Sequence, residues 1–258
     1  MDLVEYRQRE AERQRTDDLM ALVPEGGGRA LDIGARDGHF SKLFAQRFAV
    51  VTALDLEKPE IDHTRVECVK GDVTKLPYRD GYFDFVFCAE VLEHIPPSLL
   101  EKACSELSRV CRGHLLIGVP YRQDIRIGRT TCSSCGAKNP PWGHVNQFDE
   151  NKLERLFPGL AVAKTNYVGV NDQSTNPLSR MLMDWAGNPY GTYEQDEPCL
   201  SCGSKLTGPR ERSFQQRLAT RAAVYAQGMT KVLSSSHANW IHRLFRKESG
   251  TISRAAAE

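Results

Sequence analysis

Five short apolar, β-prone runs separated by helical patterns restrict the fold more than any other feature of this chain. They are Ala30 to Ile33, Val50 to Leu54, Val66 to Val69, Phe83 to Cys88 and Leu115 to Val119, with helical spacing at His39 to Arg47 and Ser98 to Cys111. Strands that alternate with helices need crossover connections, which produce a mostly parallel sheet covered on both faces. The expected fold class is α/β, a doubly wound, Rossmann-like sheet. A further helix (Asp149 to Phe157) and strand (Leu160 to Val168) resume the pattern after an irregular stretch from Tyr121 to Gly143. A second irregular stretch runs from Gly169 to Gly208, with one helical patch around Leu178 to Trp185. The first 23 residues read as a polar amphipathic helix ended by Pro24 and Gly26 to Gly28.

The last 50 residues differ. Phe214, Leu218, Ala222, Tyr225 and Met229 recur at helical spacing, and Trp240, Ile241, Leu244 and Phe245 form a short apolar stripe beside Arg243, Arg246 and Lys247. The expected organisation is a nucleoside-binding core with its N-terminal helix over 1–120, irregular insertions interleaved with the last helix and strand over 121–208, and a basic helical extension over 209–258.

Composition narrows the class. With 258 residues, 40% of them hydrophobic and 26% charged, the chain has material for a sizeable core. No apolar stretch approaches the roughly 18 to 20 residues that span a bilayer. The N-terminus, MDLVEYRQREAERQR, is charged and lacks the apolar region of a signal peptide. The expectation is a cytoplasmic protein. In a reducing compartment eight cysteines point to metal binding for those that cluster.

The strongest local signal is Ala30-Leu-Asp-Ile-Gly-Ala-Arg-Asp-Gly-His-Phe-Ser41, an apolar strand, a glycine-bearing turn and a helix. Ligands of α/β sheets bind at the carboxyl ends of strands, and helix N-terminal amides favour anionic groups. A dinucleotide fingerprint starting at Gly34 would need glycines at 36 and 39, where Arg36 and His39 stand, and no Gly-Lys-Ser/Thr follows. Asp55 closes the next strand, where a carboxylate can accept two ribose hydroxyls. Asp72 follows the third strand, and Ala89-Glu90-Val-Leu-Glu-His94 follows the fourth. Four polar sites at successive strand ends converge on one crevice. Taken singly, each of these carboxylates also reads as a strand-end cap or turn former.

With Leu31-Asp-Ile-Gly-x-x-x-Gly38 and Glu90-Val-Leu-Glu-His-Ile95, the chain resembles the class I S-adenosylmethionine-dependent methyltransferases of the small-molecule, type 11-like group, over roughly residues 29 to 120. The resemblance implies that Asp32, Gly34, Ala35 and Gly38 line the methionine part of the donor. It implies further that Asp55 holds the ribose, Leu56 packs on the adenine, Asp72 bonds the adenine amino group with Val73 beside it, and Ala89 and Glu90 close the pocket. The family usually carries glycine where this chain has Arg36.

Cys132-Ser-Ser-Cys135-Gly and Cys199-Leu-Ser-Cys202-Gly are matching knuckles. Four thiolates without a fifth partner suit a closed, structural tetrahedral zinc site. Two disulfides, a thioredoxin-like redox motif and coincidence are the alternatives, and the redox reading lacks a strand-to-helix context at either pair. Zinc across the two irregular stretches is expected to staple a small lid over the donor pocket. Cys68, Cys88, Cys104 and Cys111 lie inside apolar patterns and read as core.

Methyl transfer to a hydroxyl calls for positioning and a base. His94 at the fourth strand end and His144 in Pro141-Trp-Gly-His-Val-Asn-Gln-Phe148 are the candidates. A helix cap or loop brace is the structural alternative for His94, and a spare zinc ligand or surface residue for His144.

Residues 203–258 hold 10 basic and 3 acidic side chains, so the overall charge of +1 masks an acidic front and a basic tail. Such a tail suits anionic lipid, nucleic acid or packing of its Phe214, Leu218 and Tyr225 stripe on its own domain. The leading expectation is O-methylation of a small-molecule or glycan acceptor. An RNA methyltransferase with zinc-knuckle recognition is the alternative, and a non-catalytic zinc protein with a vestigial pocket, supported by Arg36, is the third.

Overall fold

The computed structural model describes residues 7–209, 211–231 and 235–247, in two compact units with interleaved sequence. One unit comprises 17–119, 149–167 and 241–258; the other comprises 1–16, 120–148 and 168–240.

The first unit is built on a seven-stranded sheet in the order β3-β2-β1-β4-β5-β9-β8. Its strands are β1 (Gly27–Ile33), β2 (Phe48–Asp55), β3 (Val66–Lys70), β4 (Phe83–Ala89), β5 (Cys111–Pro120), β8 (Leu160–Val168) and β9 (Trp240–Lys247). β1 pairs in parallel with β2 and β4, β2 with β3, and β4 with β5. Helices α1 (Glu10–Leu22), α2 (His39–Phe44), α3 (Pro97–Val110) and α4 (Glu150–Leu156) accompany these strands. The chain starts the sheet at β1, works outward to β3 and returns to the other side of β1 with β4. The reversal opens a crevice between the carboxyl ends of β1 and β4.

The core beneath that crevice is aromatic. Phe44, Phe48, Phe85 and Phe87 are fully buried and meet in edge-to-face or stacked pairs with centroids 5.0–5.4 Å apart. Leu19 and Leu22 of α1 join this cluster, which accounts for the sparse apolar positions of that helix. Residues 1–6 of the expected N-terminal helix lie outside the described residues.

One expectation fails in this unit. The stripe Trp240, Ile241, Leu244, Phe245, read as part of a helical extension, is strand β9, inserted between β5 and β8. Ile241, His242 and Phe245 are buried, and Arg243 donates from Nε to Thr165 Oγ1 at 3.0 Å and from Nη1 to Glu150 O at 2.8 Å. An interior strand is covered on both faces, so it shows no strict alternation and cannot be told from a short helix by period.

The second unit contains the hairpin β6 (Thr130–Thr131) and β7 (Lys138–Asn139), a 3₁₀ turn at Pro141–Gly143, and helices α5 (Pro177–Trp185) and α6 (Phe214–Lys231) packed on each other. Asn176 caps α5 through Ser179 N at 2.8 Å and also donates from Nδ2 to Ala226 O of α6 at 2.8 Å. Among the described residues no helix is long and apolar enough to cross a membrane.

Candidate functional site

The turn after β1 has the geometry of a close-approach loop. Gly34 and Gly38 take φ of +75° and +78°, and a Cβ at either would stand 2.4 Å from Val91 Cγ2 or Ile61 Cδ1. Gly34 N and Ala35 N donate to Leu54 O of β2 at 2.9 and 3.3 Å, which locks the turn onto the neighbouring strand. These two amides serve the loop itself, a detail that the pattern of glycines does not disclose.

Arg36, the departure from the family pattern, has φ of +47°. The backbone therefore takes the left-handed conformation that glycine adopts most easily, and the arginine bears its strain. Arg36 N donates to Asp55 Oδ2 at 2.9 Å, and Leu56 N donates to Asp55 Oδ1 at 2.7 Å. Asp55 is thus aimed by two backbone amides, with lone pairs left for a ligand's hydroxyls. Beside it Leu56 is 68% exposed, an apolar side chain held in water next to a polar crevice.

Asp32 lies under the loop and accepts from Ser41 Oγ at 2.5 Å. Burial raises its carboxyl to about 7, with Ser41 opposing and the charges of Asp55 and Asp37 adding to the rise. Asp72 follows β3, accepts from Thr74 N at 2.8 Å through Oδ1, and leaves Val73 buried beside it. Ala89 ends β4, and Glu90, with φ of +56°, donates its amide to Gly118 O at 2.9 Å. Asp32, Asp55 and Ala89 lie in the last residues of β1, β2 and β4, and Gly34, Ala35, Gly38, Leu56, Asp72, Val73 and Glu90 in the segments that follow β1 to β4 at their carboxyl ends.

The two histidines belong to different units. His94 donates its amide to Val91 O at 3.0 Å. Desolvation and then the Arg36 guanidinium pull its imidazole down to about 4. That keeps it neutral near pH 7 and makes it a weak proton acceptor. His144 is buried, with Nδ1 2.6 Å from Gln123 Oε1. An amide oxygen only accepts, so Nδ1 is the donor in this contact, which fixes the orientation of the ring. Gln123 has no sequence signature and is missed by pattern reading. It also lines a cleft of about 110 Å³ with Asp124, Trp142, Asn171, Gln173 and Thr192. Trp142 stands there with φ of +57°. Asp124 is engaged by Arg126 at 2.7 Å and by Thr175 N at 3.1 Å.

The cysteine knuckles converge in this second unit. Cys132 N donates to Ala137 O and Gly136 N to Cys132 O, and the second knuckle repeats both bonds with Cys199, Ser204 and Gly203. Gly136 and Gly203 have φ of +74° and +72°. All four Sγ atoms lie within 4.8 Å of one another, with Cys132 to Cys202 and Cys135 to Cys199 at 3.7 Å. Asn139 Oδ1 accepts from Leu200 N at 2.9 Å and fastens one knuckle to the other, while Leu206, Ala137 and Tyr193 pack on Cys132 and Cys199. The remaining cysteines divide unevenly. Cys88, Cys104 and Cys111 are buried, the last two with thiols pushed by burial to about 12 and about 11, whereas Cys68 on β3 is half-buried.

Residues 31–117 match a family described as a methyltransferase domain. A ubiquinone biosynthesis O-methyltransferase of Xanthomonas campestris pv. campestris (strain B100) is 34% identical over 105 residues, covering 36% of this chain and 44% of that protein. A homologue from Xylella fastidiosa (strain 9a5c) is 32% identical over a similar span, 36% of this chain and 42% of that protein. The chain thus spans less than half the length of the curated relatives it matches. In fold it is similar to the N-methyltransferase NodS from Bradyrhizobium japonicum WM9 in complex with S-adenosyl-L-homocysteine, with a TM-score of 0.55 at 14% identity over 95% of this chain and 91% of that one. It is equally similar to the [4+2]-cyclase SpnF, with a TM-score of 0.53 at 19% identity over 92% and 81%. Residues 31–117 are thus similar to a methyltransferase domain, and the solved structures show a shared fold.

Proposed function

We propose that the chain transfers the methyl group of S-adenosylmethionine to a hydroxyl of a small molecule or glycan precursor. The observation that carries this reading is the loop geometry at the end of β1, where Arg36 keeps the backbone of a glycine and spends its amide on Asp55. A pocket drifting out of use would have no reason to hold that strained conformation, so Arg36 no longer supports a vestigial pocket.

In this reading Asp55 holds the two ribose hydroxyls and Leu56 covers the adenine, with Asp72 and Val73 at its edge. Asp32, Gly34, Ala35 and Gly38 bound the methionine part, and Ala89 and Glu90 close the pocket. Bound there, the donor supplies a sulfonium methyl open to in-line attack. Within the second unit, the cleft of Gln123, Asp124, Trp142, Asn171, Gln173 and Thr192 offers amide and hydroxyl groups and an indole face that suit a polyhydroxylated ring, with Asp124 already engaged by Arg126. Gln123 orients His144, whose Nε2 takes the hydroxyl proton; His94 positions the loop after β4. The curated relatives are O-methyltransferases by name, in agreement with a hydroxyl acceptor. SpnF shows that this fold also serves chemistry other than methyl transfer, so the assay decides. Label from methyl-tritiated donor should enter a pool of small polyhydroxylated acceptors and spare RNA. Incorporation into RNA alone would reverse the choice of acceptor class.

The same reading places a structural zinc ion on Cys132, Cys135, Cys199 and Cys202. A tetrahedron with Zn–S of about 2.3 Å has S···S edges of about 3.8 Å, against about 2.05 Å in a disulfide, and the knuckles present 3.7 Å. Metal analysis of pure protein is expected to return one zinc per chain, lost in Cys199→Ser with a fall in thermal stability. Stoichiometric absence of zinc with all eight thiols open to alkylation would remove the metal.

A further inference from the structure

The expected packing of the C-terminal helix is reversed in the structure. Ala219, Thr220 and Ala223 of α6 are buried, and Ser179 Oγ of α5 donates to Ala223 O at 2.8 Å. The stripe Phe214, Leu218 and Tyr225, read from sequence as packing on the domain, faces solvent instead together with Met229, with Phe214 79% and Tyr225 75% exposed. Their spacing of four, seven and four residues keeps them on one line along the helix. A run of large apolar side chains left in water over four turns marks a docking surface.

Charge narrows what docks there. Arg217 and Arg221, three and four residues from members of the stripe, are exposed along its edge and form no ion pair among the described residues. α6 contains no acidic residue. A second copy laid stripe on stripe would bring these arginines together with no carboxylate on the helix to separate them. A surface of phosphate groups over an apolar layer complements both features.

We propose that α6 lies on an anionic lipid surface, with Phe214, Leu218, Tyr225 and Met229 at the headgroup boundary and Arg217 and Arg221 among lipid phosphates. Within the basic tail the lipid contact thus falls on α6 and not on β9, whose Ile241 and Phe245 are buried in the sheet. Eighteen residues at about 1.5 Å each give a footprint of about 27 Å.

The 258-residue chain should float with vesicles of phosphatidylcholine containing phosphatidylglycerol and stay behind with phosphatidylcholine alone. Raising salt to about 0.5 M should release it, since the Debye length then falls well below 10 Å. Leu218→Ser with Tyr225→Ser, and separately Arg217→Gln with Arg221→Gln, should each weaken flotation at least tenfold with circular dichroism unchanged. Equal binding to both vesicle types, unaltered binding by either variant pair, or no binding at all would overturn the proposal. So would light scattering showing a dimer that Leu218→Ser with Tyr225→Ser dissociates, because the face would then belong to a second copy.

Discussion

Both units rely on glycines with positive φ, and they use them for different ends. In the sheet unit, Gly38 is hemmed in: a Cβ there would meet three atoms of Ile61 at 2.4 to 3.0 Å. In the knuckles, Gly136 and Gly203 have nothing within 4 Å of the same position. The first loop needs both the conformation and the missing side chain because Ile61 packs directly against it. The second needs the conformation alone, to curl the backbone around sulfur. A shared C-x-x-C-G or G-x-x-x-G spelling therefore conceals unequal constraints.

The comparison would break first at the histidines. His144→Ala should lower kcat by about 100-fold or more with donor affinity preserved, as loss of a general base does, whereas His94→Ala should stay within about threefold. Equal losses in the two variants, measured by steady-state kinetics, would mean that Gln123 is not orienting a base.

Asp32 offers a test within the sheet unit by pH. Its folded-state carboxyl lies at about 7 against 3.8 unfolded, so the folded state holds the proton more tightly. The resulting stabilisation is complete below about pH 4 and is lost as pH rises to about 7, a change on the order of 4 kcal/mol. Asp32→Asn should flatten that slope in denaturant unfolding followed by aromatic fluorescence. An unchanged slope would assign the effect to another group.

The glycines give the smallest effect and the sharpest contrast. Gly38→Ala should cost about 3 kcal/mol, from left-handed strain plus a clash with branched Ile61. Gly136→Ala should cost about 1 kcal/mol, from the strain alone. Equal costs in thermal unfolding would show that Ile61 simply moves aside.

Much of the sheet unit is legible in the sequence because its signals are local. The runs at Ala30, Val50, Val66, Phe83 and Leu115 become β1 to β5 within a few residues at each end, and Asp55 stands at its strand end as expected. The knuckles are legible for the same reason, since C-x-x-C-G encodes its own turn. What escapes are relations that only tertiary pairing creates. β9 is inserted between β5 and β8, so its burial on both faces erases the period that would identify it. The α6 stripe has helical spacing whether it faces core or solvent, and Ala219 and Ala223 on the opposite side supply the packing face that small residues rarely advertise. Gln123 acquires its role from a histidine 21 residues away, and Arg36 from a backbone angle.

Binding of the donor tests the central claim most directly. Calorimetric titration of the full chain with S-adenosylmethionine is expected to show one site of micromolar affinity, and Asp55→Ala to weaken it by about 100-fold while leaving the thermal transition in place. A folded chain that takes up no donor, or one that binds it equally well without the Asp55 carboxylate, would contradict the account.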